Sequence, residues 1–240
     1  MILLIDAGNS RIKWRLVGEN VHASGACTHD APGDLAACIE TPGISRVLGC
    51  NVAGPSRGEA LSTMLARRGL SVEWISSGAQ RCGVRNMYAH PARLGADRWA
   101  ALIGARGRCP HNKALVVMAG TATTLDILDD NGNFVGGHIL PGMALMRQSL
   151  SNGTAQLPLM GGRYRNRPRD TADAIVSGCL SAQAGAIERV FRYLDDPAAL
   201  CLLSGGSADE IEPLLDTPFQ RVENLVLDGL HRIARAARAA

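Results

Sequence analysis

The hydrophobic pattern of residues 1–17 predicts two strands joined by a tight turn. Residues 2–5 form the short apolar run ILLI, which is typical of a strand buried on both faces. Over residues 12–16 apolar and basic side chains alternate, and a period of two indicates a second strand. The small, turn-forming residues Asp6-Ala7-Gly8-Asn9-Ser10 lie between them. The chain therefore begins with a predicted hairpin whose first strand ends in a carboxylate.

The same pattern returns in the second half of the chain. An apolar strand is predicted over residues 114–118, followed by the turn Ala119-Gly120-Thr121 and a second apolar strand over 125–128. Asn131-Gly132 is a strong hairpin signal, and a third strand is predicted over 134–140. If the two Gly-containing turns face each other across a cleft, they could hold a nucleotide triphosphate from both sides.

The rest of the chain alternates strands and helices, in the order βββαβαβ for the first half. We place the boundary between the halves at residues 113 and 114. Two stretches, 76–94 and 151–169, are predicted to be irregular, and the second is a basic loop that is either a phosphate-facing lid or a solvated segment. The pattern predicts strands over 21–27, 46–52, 70–75 and 200–203, and helices over 35–39, 58–68, 99–106, 144–150, 170–194 and 229–239.

Composition narrows the class of protein. A chain of 240 residues with 46% hydrophobic residues is long and apolar enough for one large or two small folded domains. The net charge of +3 and the lack of any long basic run give no reason to invoke nucleic acid. Seven scattered cysteines without a C-x-x-C pair indicate neither a disulfide framework nor a zinc site. No basic leader and no apolar run of ~18 residues is present, so we expect a cytoplasmic protein that does not bind membranes.

The first turn carries candidate chemistry. Its backbone N–H groups and the Ser10 hydroxyl could bind a phosphate, and Asp6 could hold a Mg²⁺ ion on the same phosphates. The chain continues from the glycine into a strand, which excludes a P-loop and a dinucleotide fingerprint, since both need a helix there. An ordinary hairpin turn remains the alternative explanation.

A second candidate is Gly95-Ala96-Asp97-Arg98, at the start of a predicted helix. Asp97 could cap that helix or accept a proton in catalysis. Capping does not explain Arg98, because a cation is unfavourable at a helix N-terminus, and this favours an anionic ligand nearby. The later turn Ser204-Gly205-Gly206-Ser207 is suited to a close approach by adenine or ribose.

Five segments make the chain resemble the type III pantothenate kinases, some of which are labelled Bvg accessory factors. In order they are MILLIDAGNSRIKW at 1–14, GADRWAAL at 95–102, AGTATTLD at 119–126, GGHILPGMALMRQSL at 136–150 and TAQLP at 154–158. The family belongs to the acetate kinase/sugar kinase/Hsp70/actin superfamily. The resemblance implies an α/β fold of two tandem ribonuclease H-like (actin-like ATPase) halves, 1–113 and 114–240, each a mixed sheet flanked by helices.

The resemblance also implies an activity: ATP-dependent, Mg²⁺-requiring phosphorylation of the primary hydroxyl of pantothenate, the first step of coenzyme A biosynthesis. Asp97 would accept the hydroxyl proton, and Arg98 would pair with the carboxylate of pantothenate. A family threonine near a subunit interface matches Thr171, which implies a homodimer. The implied ATP contacts are Asp6, Ala7, Gly8, Asn9, Ser10, Arg11, Ile12, Lys13 and Thr121, and the implied pantothenate contacts are Tyr88, Gly95, Ala96, Asp97, Arg98 and Thr171.

One position departs from the family pattern. The residue before AGTATT is usually an Asp tied to a bound monovalent cation (K⁺ or NH₄⁺), and here it is Met118, a poor ligand for a hard alkali cation. Either the cation is dispensable or another group substitutes, and Asp126 is either a second ligand or a strand-end Asp without a role.

Two other functions stay open from sequence. Another small-molecule kinase of the superfamily is disfavoured by GADR, Tyr88 and TAQLP. A non-catalytic, nucleotide-binding accessory or regulatory protein is disfavoured because Asp6, Asp97, Arg98 and Thr121 are all retained.

Overall fold

The computed structural model describes residues 1–153 and 161–237. In these residues the chain forms twelve strands and seven α-helices. The strands are β1 (Ile2–Ala7), β2 (Ile12–Val17), β3 (Val21–Cys27), β4 (Arg46–Asn51), β5 (Val72–Trp74), β6 (Gln80–Arg81), β7 (Val84–Asn86), β8 (Ala114–Ala119), β9 (Ala122–Leu128), β10 (Asn133–Pro141), β11 (Leu200–Ser204) and β12 (Phe219–Arg221). The helices are α1 (Gly33–Cys38), α2 (Pro55–Ala66), α3 (Ala96–Arg108), α4 (Met143–Gly153), α5 (Thr171–Phe191), α6 (Ala208–Ile211) and α7 (Leu225–Ala236).

Contacts divide the chain into two compact units. Unit 1 holds Met1–Pro110, Gly132–Phe134 and the chain from Asn224 onward, and unit 2 holds His111–Asn131 and Val135–Glu223. The predicted boundary at residues 113 and 114 lies close to the change of unit after Pro110. The structure differs from the prediction at the C-terminus, because α7 packs in unit 1 although it was assigned to the second half.

Unit 1 is organised around a five-stranded mixed sheet in the order β3-β2-β1-β4-β5. Strand β1 pairs antiparallel with β2 and parallel with β4, and these pairings place Asp6 opposite both Lys13 and Cys50. One face of the sheet is a hydrophobic core that α1 and α2 complete through buried leucines such as Leu35, Leu61 and Leu65. The predicted βββαβαβ order is confirmed over residues 2–74.

Helix α3, which carries the GADR segment at its start, is anchored by α7. The two helices approach so closely that a Cβ atom on Gly229 would lie 1.8 Å from the carbonyl oxygen of Ala100. The Asp228 carboxylate of α7 binds Arg15 at 2.7 Å and Arg108 at 2.6 Å. Asn224 caps α7 by accepting a hydrogen bond from the Leu227 N–H at 2.9 Å, so the helix begins four residues before the predicted start at 229.

The stretch predicted as irregular, 76–94, contains a small hairpin formed by β6 and β7. Its turn, Cys82-Gly83, has φ angles of 50° and 76°, which are the positive values that a two-residue hairpin turn requires. Strand β7 also pairs in parallel with the first residues of β10, at Asn133 and Phe134. Strands β6 and β7 are too short for sequence periodicity to reveal them.

Unit 2 is built on strands in the order β12-β11-β8-β9-β10. Strand β8 pairs antiparallel with β9 and parallel with β11, and α5 covers the apolar face that includes Leu115, Val117 and Leu203. Asp170 caps α5 by accepting from the Asp173 N–H at 2.9 Å, and the α-helix ends at Phe191, followed by one 3-10 turn. Of the helices in the described residues, none combines the length and hydrophobicity needed to cross a membrane.

Candidate active site

Asp6 stands at the end of β1 as a nearly enclosed carboxylate, with 8% of its surface exposed. Burial raises its pKa to about 6; the charge of Asp97 adds to this rise, whereas Lys13 and a hydrogen bond from Cys50 oppose it. The Cys50 Sγ donates to Asp6 Oδ1 at 3.4 Å, and burial raises the pKa of that thiol well above its ordinary value. Asp6 is therefore a buried negative charge that Lys13 compensates only in part.

The turn that follows Asp6 is braced from three sides. The Gly8 N–H donates to Arg11 O at 3.1 Å, His29 Nε2 donates to Gly8 O at 2.7 Å, and Arg57 Nη1 donates to Asn9 O at 2.5 Å. No local pattern predicts a role for His29 or Arg57, because both contacts form only when distant parts of the chain fold back onto the turn. A braced turn holds its backbone N–H groups in fixed directions, which is what a phosphate cradle needs.

The predicted ATP segment, residues 6–13, is thus one continuous hairpin. Asn9, Ser10 and Arg11 are exposed at its tip. Ala7 and Ile12 are buried in the core, so any contact they make with a ligand comes from their backbone atoms.

Asp97 lies in the first turn of α3, after the helix cap Gly95. Its Oδ1 accepts a hydrogen bond from the Arg98 backbone N–H at 2.8 Å, so Asp97 satisfies a donor of the first helical turn although Gly95, and not Asp97, is the cap residue. Asp97 is half-buried and belongs to the same unit as Asp6, whose pKa its charge helps to raise. The geometry is compatible with both roles, since one carboxylate oxygen can serve the helix while the other takes a proton.

Arg98, next to Asp97, is 6% exposed although it is an arginine at a helix N-terminus. Its guanidinium carbon lies 5.8 Å from the Tyr88 ring centroid and 5.7 Å from that of Phe134, and its Nη1 donates to the Tyr88 hydroxyl at 3.2 Å. The structure thus brings the predicted residues Tyr88 and Arg98 together and adds Phe134, which sequence reasoning missed.

The second hairpin, β8–β9, holds Thr121 at its exposed turn in unit 2. The Gly120 N–H donates to Ala122 O at 3.1 Å, and the Gly142 N–H donates to Thr121 O at 3.0 Å. The buried hydroxyls of Thr123 and Thr124 make no hydrogen bond to any described residue. This turn offers backbone donors and hydroxyl groups but carries no acid at the end of its first strand.

The remaining predicted residues also lie in unit 2. Thr171 is the exposed first residue of α5, directly after the cap Asp170. The arginines of the basic loop are exposed, and Arg165 lies 3.6 Å from Asp173 near the start of α5. The TAQLP segment at 154–158 lies outside the described residues.

The side chains available as metal ligands determine which ions the candidate site can hold. No group of three His, Cys, Asp or Glu side chains within residues 1–153 and 161–237 forms a ready-made metal site. Mg²⁺ is commonly held by one or two carboxylates together with substrate phosphates, and the buried, incompletely compensated Asp6 fits that demand. The thioether of Met118 does not fit a hard alkali cation.

Solved structures define the class of this fold. A Sinorhizobium meliloti protein assigned as a 2-dehydro-3-deoxygalactonokinase superposes with a TM-score of 0.66 at 15% identity, over 99% of both chains. A Listeria monocytogenes protein assigned as an N-acetylmannosamine kinase gives 0.55 at 12% identity, over 98% of this chain and 99% of its own. A Campylobacter jejuni protein assigned to the Baf family of transcriptional activators gives 0.62 at 20% identity, over 99% and 100%. The predicted α/β class, two mixed sheets flanked by helices in the actin-like kinase fold, is confirmed.

Sequence relatives then identify the family. The family model described as type III pantothenate kinase matches residues 2–193. A protein of that name from Aromatoleum aromaticum is 56% identical over all of both chains, and one from Azoarcus sp. is 51% identical over 100% of this chain and 92% of its own. The chain belongs to the type III pantothenate kinase family, so the resemblance found in the sequence is confirmed. The protein is an ATP-dependent kinase, and the non-catalytic alternative is not favoured.

Proposed function

We propose that this kinase transfers the γ-phosphoryl group of ATP to the primary hydroxyl of pantothenate with Asp97 as the proton acceptor. The observation that carries the assignment of roles is the pair of carboxylates in unit 1. Asp6 is enclosed at a strand end beside a braced Gly turn, and Asp97 sits at a helix start near enough for its charge to act on Asp6. Asp6, enclosed beside the Gly turn, is placed to hold a metal on the phosphates, whereas the half-buried Asp97 at the start of α3 is accessible to the hydroxyl of the acceptor.

The first hairpin binds the ATP phosphates in this proposal. The backbone N–H groups at the exposed tip of the turn, residues 9–11, and the Ser10 hydroxyl face the phosphate oxygens, and Lys13 adds a positive charge beside Asp6. Thr121 of the second hairpin also contacts ATP. Asp6 would hold Mg²⁺, which when bound neutralises charge on the phosphates during transfer.

Asp97 makes the hydroxyl a better nucleophile. As the hydroxyl oxygen forms its bond to the γ-phosphorus, the bond from that phosphorus to the bridging oxygen of ADP breaks, and the hydroxyl proton passes to Asp97. The Arg98 backbone N–H holds Oδ1 at 2.8 Å and thereby orients the carboxylate. Alignment of the acceptor matters as much as proton removal in phosphoryl transfer.

Pantothenate is held by Tyr88 and residues 95–98, with the Arg98 guanidinium paired with its carboxylate. Thr171 contributes a further contact, and we propose that the protein acts as a homodimer in the cytoplasm, where ATP is supplied. We also propose that Met118 makes turnover independent of K⁺ and NH₄⁺, since its thioether cannot replace the carboxylate.

A coupled ADP-release assay with pantothenate tests the role of Asp97. Asp97→Asn keeps the hydrogen bond to the helix but removes the base, so we expect turnover to fall by about 10²- to 10⁴-fold while ATP still binds. Asp34→Asn is the matched control, since Asp34 also lies in the first turn of a unit 1 helix but is exposed and is expected to leave turnover unchanged. ATP turnover that does not need pantothenate, or full activity in Asp97→Asn, would overturn the assignment.

A further inference from the structure

The Arg98 side chain is held in an unusual environment for a positive charge. A cation in the first turn of a helix is disfavoured by the helix dipole, and a buried guanidinium must recover the hydration that it loses. Arg98 is 6% exposed, and its guanidinium lies near two aromatic rings, 5.8 Å from the centroid of Tyr88 and 5.7 Å from that of Phe134. Both distances lie within the range in which a ring attracts a cation.

The two rings also hold each other. Their centroids are 5.0 Å apart with the planes tilted by 48°, an arrangement that aromatic pairs prefer over a face-to-face stack. Phe134 is fully buried, and its carbonyl accepts the Met87 N–H at 3.1 Å. Phe134 therefore has no freedom to follow a moving arginine.

Tyr88 is fixed by the segment around it. The Asn86 side chain is 5% exposed; its Oδ1 accepts the Tyr88 N–H at 3.1 Å, and its Nδ2 donates to Pro91 O at 3.0 Å. The Tyr88 hydroxyl accepts from Arg98 Nη1 at 3.2 Å. Two aromatic rings and a hydroxyl, all in unit 1, thus contact the Arg98 guanidinium.

We propose that Phe134 and Tyr88 form a clamp that fixes the Arg98 guanidinium and thereby sets the selectivity of the enzyme for an acceptor that bears a carboxylate. Aromatic rings engage the faces of a guanidinium, whereas carboxylates bind to its N–H edge, so the two interactions are compatible. A fixed edge discriminates between a carboxylate and a neutral group better than a mobile one, because less conformational freedom is lost on binding. This inference rests on the proposed function, in which Arg98 binds the carboxylate of pantothenate.

The test compares two acceptors in the ADP-release assay: pantothenate and the alcohol in which its carboxylate is replaced by a CH₂OH group. Both carry the hydroxyl that is phosphorylated, and only the first can pair with Arg98. We expect the wild-type enzyme to favour pantothenate by about tenfold or more in kcat/KM, as is typical of a charge-assisted hydrogen bond. In Phe134→Leu we expect kcat/KM for pantothenate to fall by about 5- to 20-fold, through KM, and that for the alcohol by less than about twofold.

Tyr88→Phe separates the two parts of the clamp, because it keeps the ring and removes only the hydroxyl. We expect it to lower the preference for pantothenate by an intermediate amount. If Phe134 had a purely structural role, Phe134→Leu would lower kcat/KM for both acceptors in parallel. The ratio of the two kcat/KM values would then be unchanged, and this result would overturn the clamp. If Phe134→Leu does not fold, the ratio of kcat/KM for the two acceptors is measured in Phe134→Met and Tyr88→Phe instead. A ratio that equals the wild-type value in both variants would also reject the clamp.

The wild-type ratio separates this inference from the function on which it rests. A wild-type enzyme that phosphorylates the acid and the alcohol equally well would refute the pairing of Arg98 with the carboxylate, and the clamp with it. A wild-type preference that survives intact in the variants would refute the clamp alone.

Discussion

The hairpins β1–β2 and β8–β9 are built on the same plan in the two units. In each, the first strand pairs antiparallel with the second and parallel with a later strand, β4 or β11. Each turn begins with Ala-Gly, and the glycine N–H donates across the turn at 3.1 Å, to Arg11 O or to Ala122 O. In each turn the alanine carbonyl accepts a 3.0 Å hydrogen bond from a backbone N–H in the segment that follows the parallel strand.

The two hairpins differ in the residue before Ala-Gly. In the first it is Asp6, with Lys13 and Cys50 as its cross-strand neighbours. In the second it is Met118, whose neighbours are Thr124 and Ser204. The backbone plan supplies N–H donors at both turns, whereas the side chain at the strand end decides whether a turn can also hold a cation. The comparison therefore supports the proposal that the metal ion is held at the first hairpin and not at the second.

Of the substitutions that test this comparison, replacing Asp6 is expected to change turnover the most. Asp6→Asn keeps the shape of the side chain and removes its charge, so we expect turnover to fall at least about 100-fold because the Mg²⁺ ligand is lost. Met118→Leu, a swap of similar volume at the equivalent position, is expected to stay within about twofold of wild type. Comparable losses in both variants would mean that the two strand ends do not differ in function.

Asp6→Asn is also expected to change how the stability of the protein without nucleotide or Mg²⁺ depends on pH. The pKa of Asp6 rises from 3.8 to about 6 on folding, so the folded state binds its proton more tightly than the unfolded state. The contribution of Asp6 to the free energy of unfolding therefore falls as pH rises from about 4 to about 6, by at most about 3 kcal/mol. We expect Asp6→Asn to melt above wild type at pH 8 and close to it at pH 4, whereas parallel melting curves would contradict the buried charge.

An intermediate effect is expected at Gly205, which packs onto the second turn. Its φ is +108°, and an added Cβ would lie 2.3 Å from Ala119 O, so Gly205→Ala must displace the turn or strain the backbone. We expect a loss of roughly 2–5 kcal/mol in the free energy of unfolding and about a tenfold rise in KM for ATP. Gly206→Ala is the control, since a Cβ there meets no atom within 4 Å. Equal melting temperatures for the two variants would show that the second turn is not held by this contact.

The smallest effect is expected from making the second hairpin more like the first. Met118→Asp places a carboxylate at the equivalent strand end, and we expect it to make turnover respond a few-fold to K⁺ over Na⁺, because a hard oxygen ligand has replaced a thioether. Rates in both buffers, with Met118→Asn as a neutral variant of similar size to Asp, measure the response. A wild-type enzyme that already requires K⁺ would show that other groups supply the cation site.

Local pattern was sufficient for the elements that carry the predicted site. The alternation over 12–16, the Gly turns and the capping residue Asp170 were confirmed, because strand period, turn chemistry and capping depend on neighbours in the chain. The hairpin β6–β7 and the strand β12 were missed, since strands of two or three residues carry no measurable period.

The sequence by itself determined the order of the main elements, the two Gly turns and the family to which the kinase belongs. Only the tertiary structure decided that Cys50 donates to Asp6, that His29 and Arg57 brace the first turn, and that Phe134 lies beside Arg98. The reason is physical: each of these contacts joins residues more than 20 positions apart. Such pairs are fixed by strand register and helix packing, to which every residue of the core contributes, and no local period encodes them.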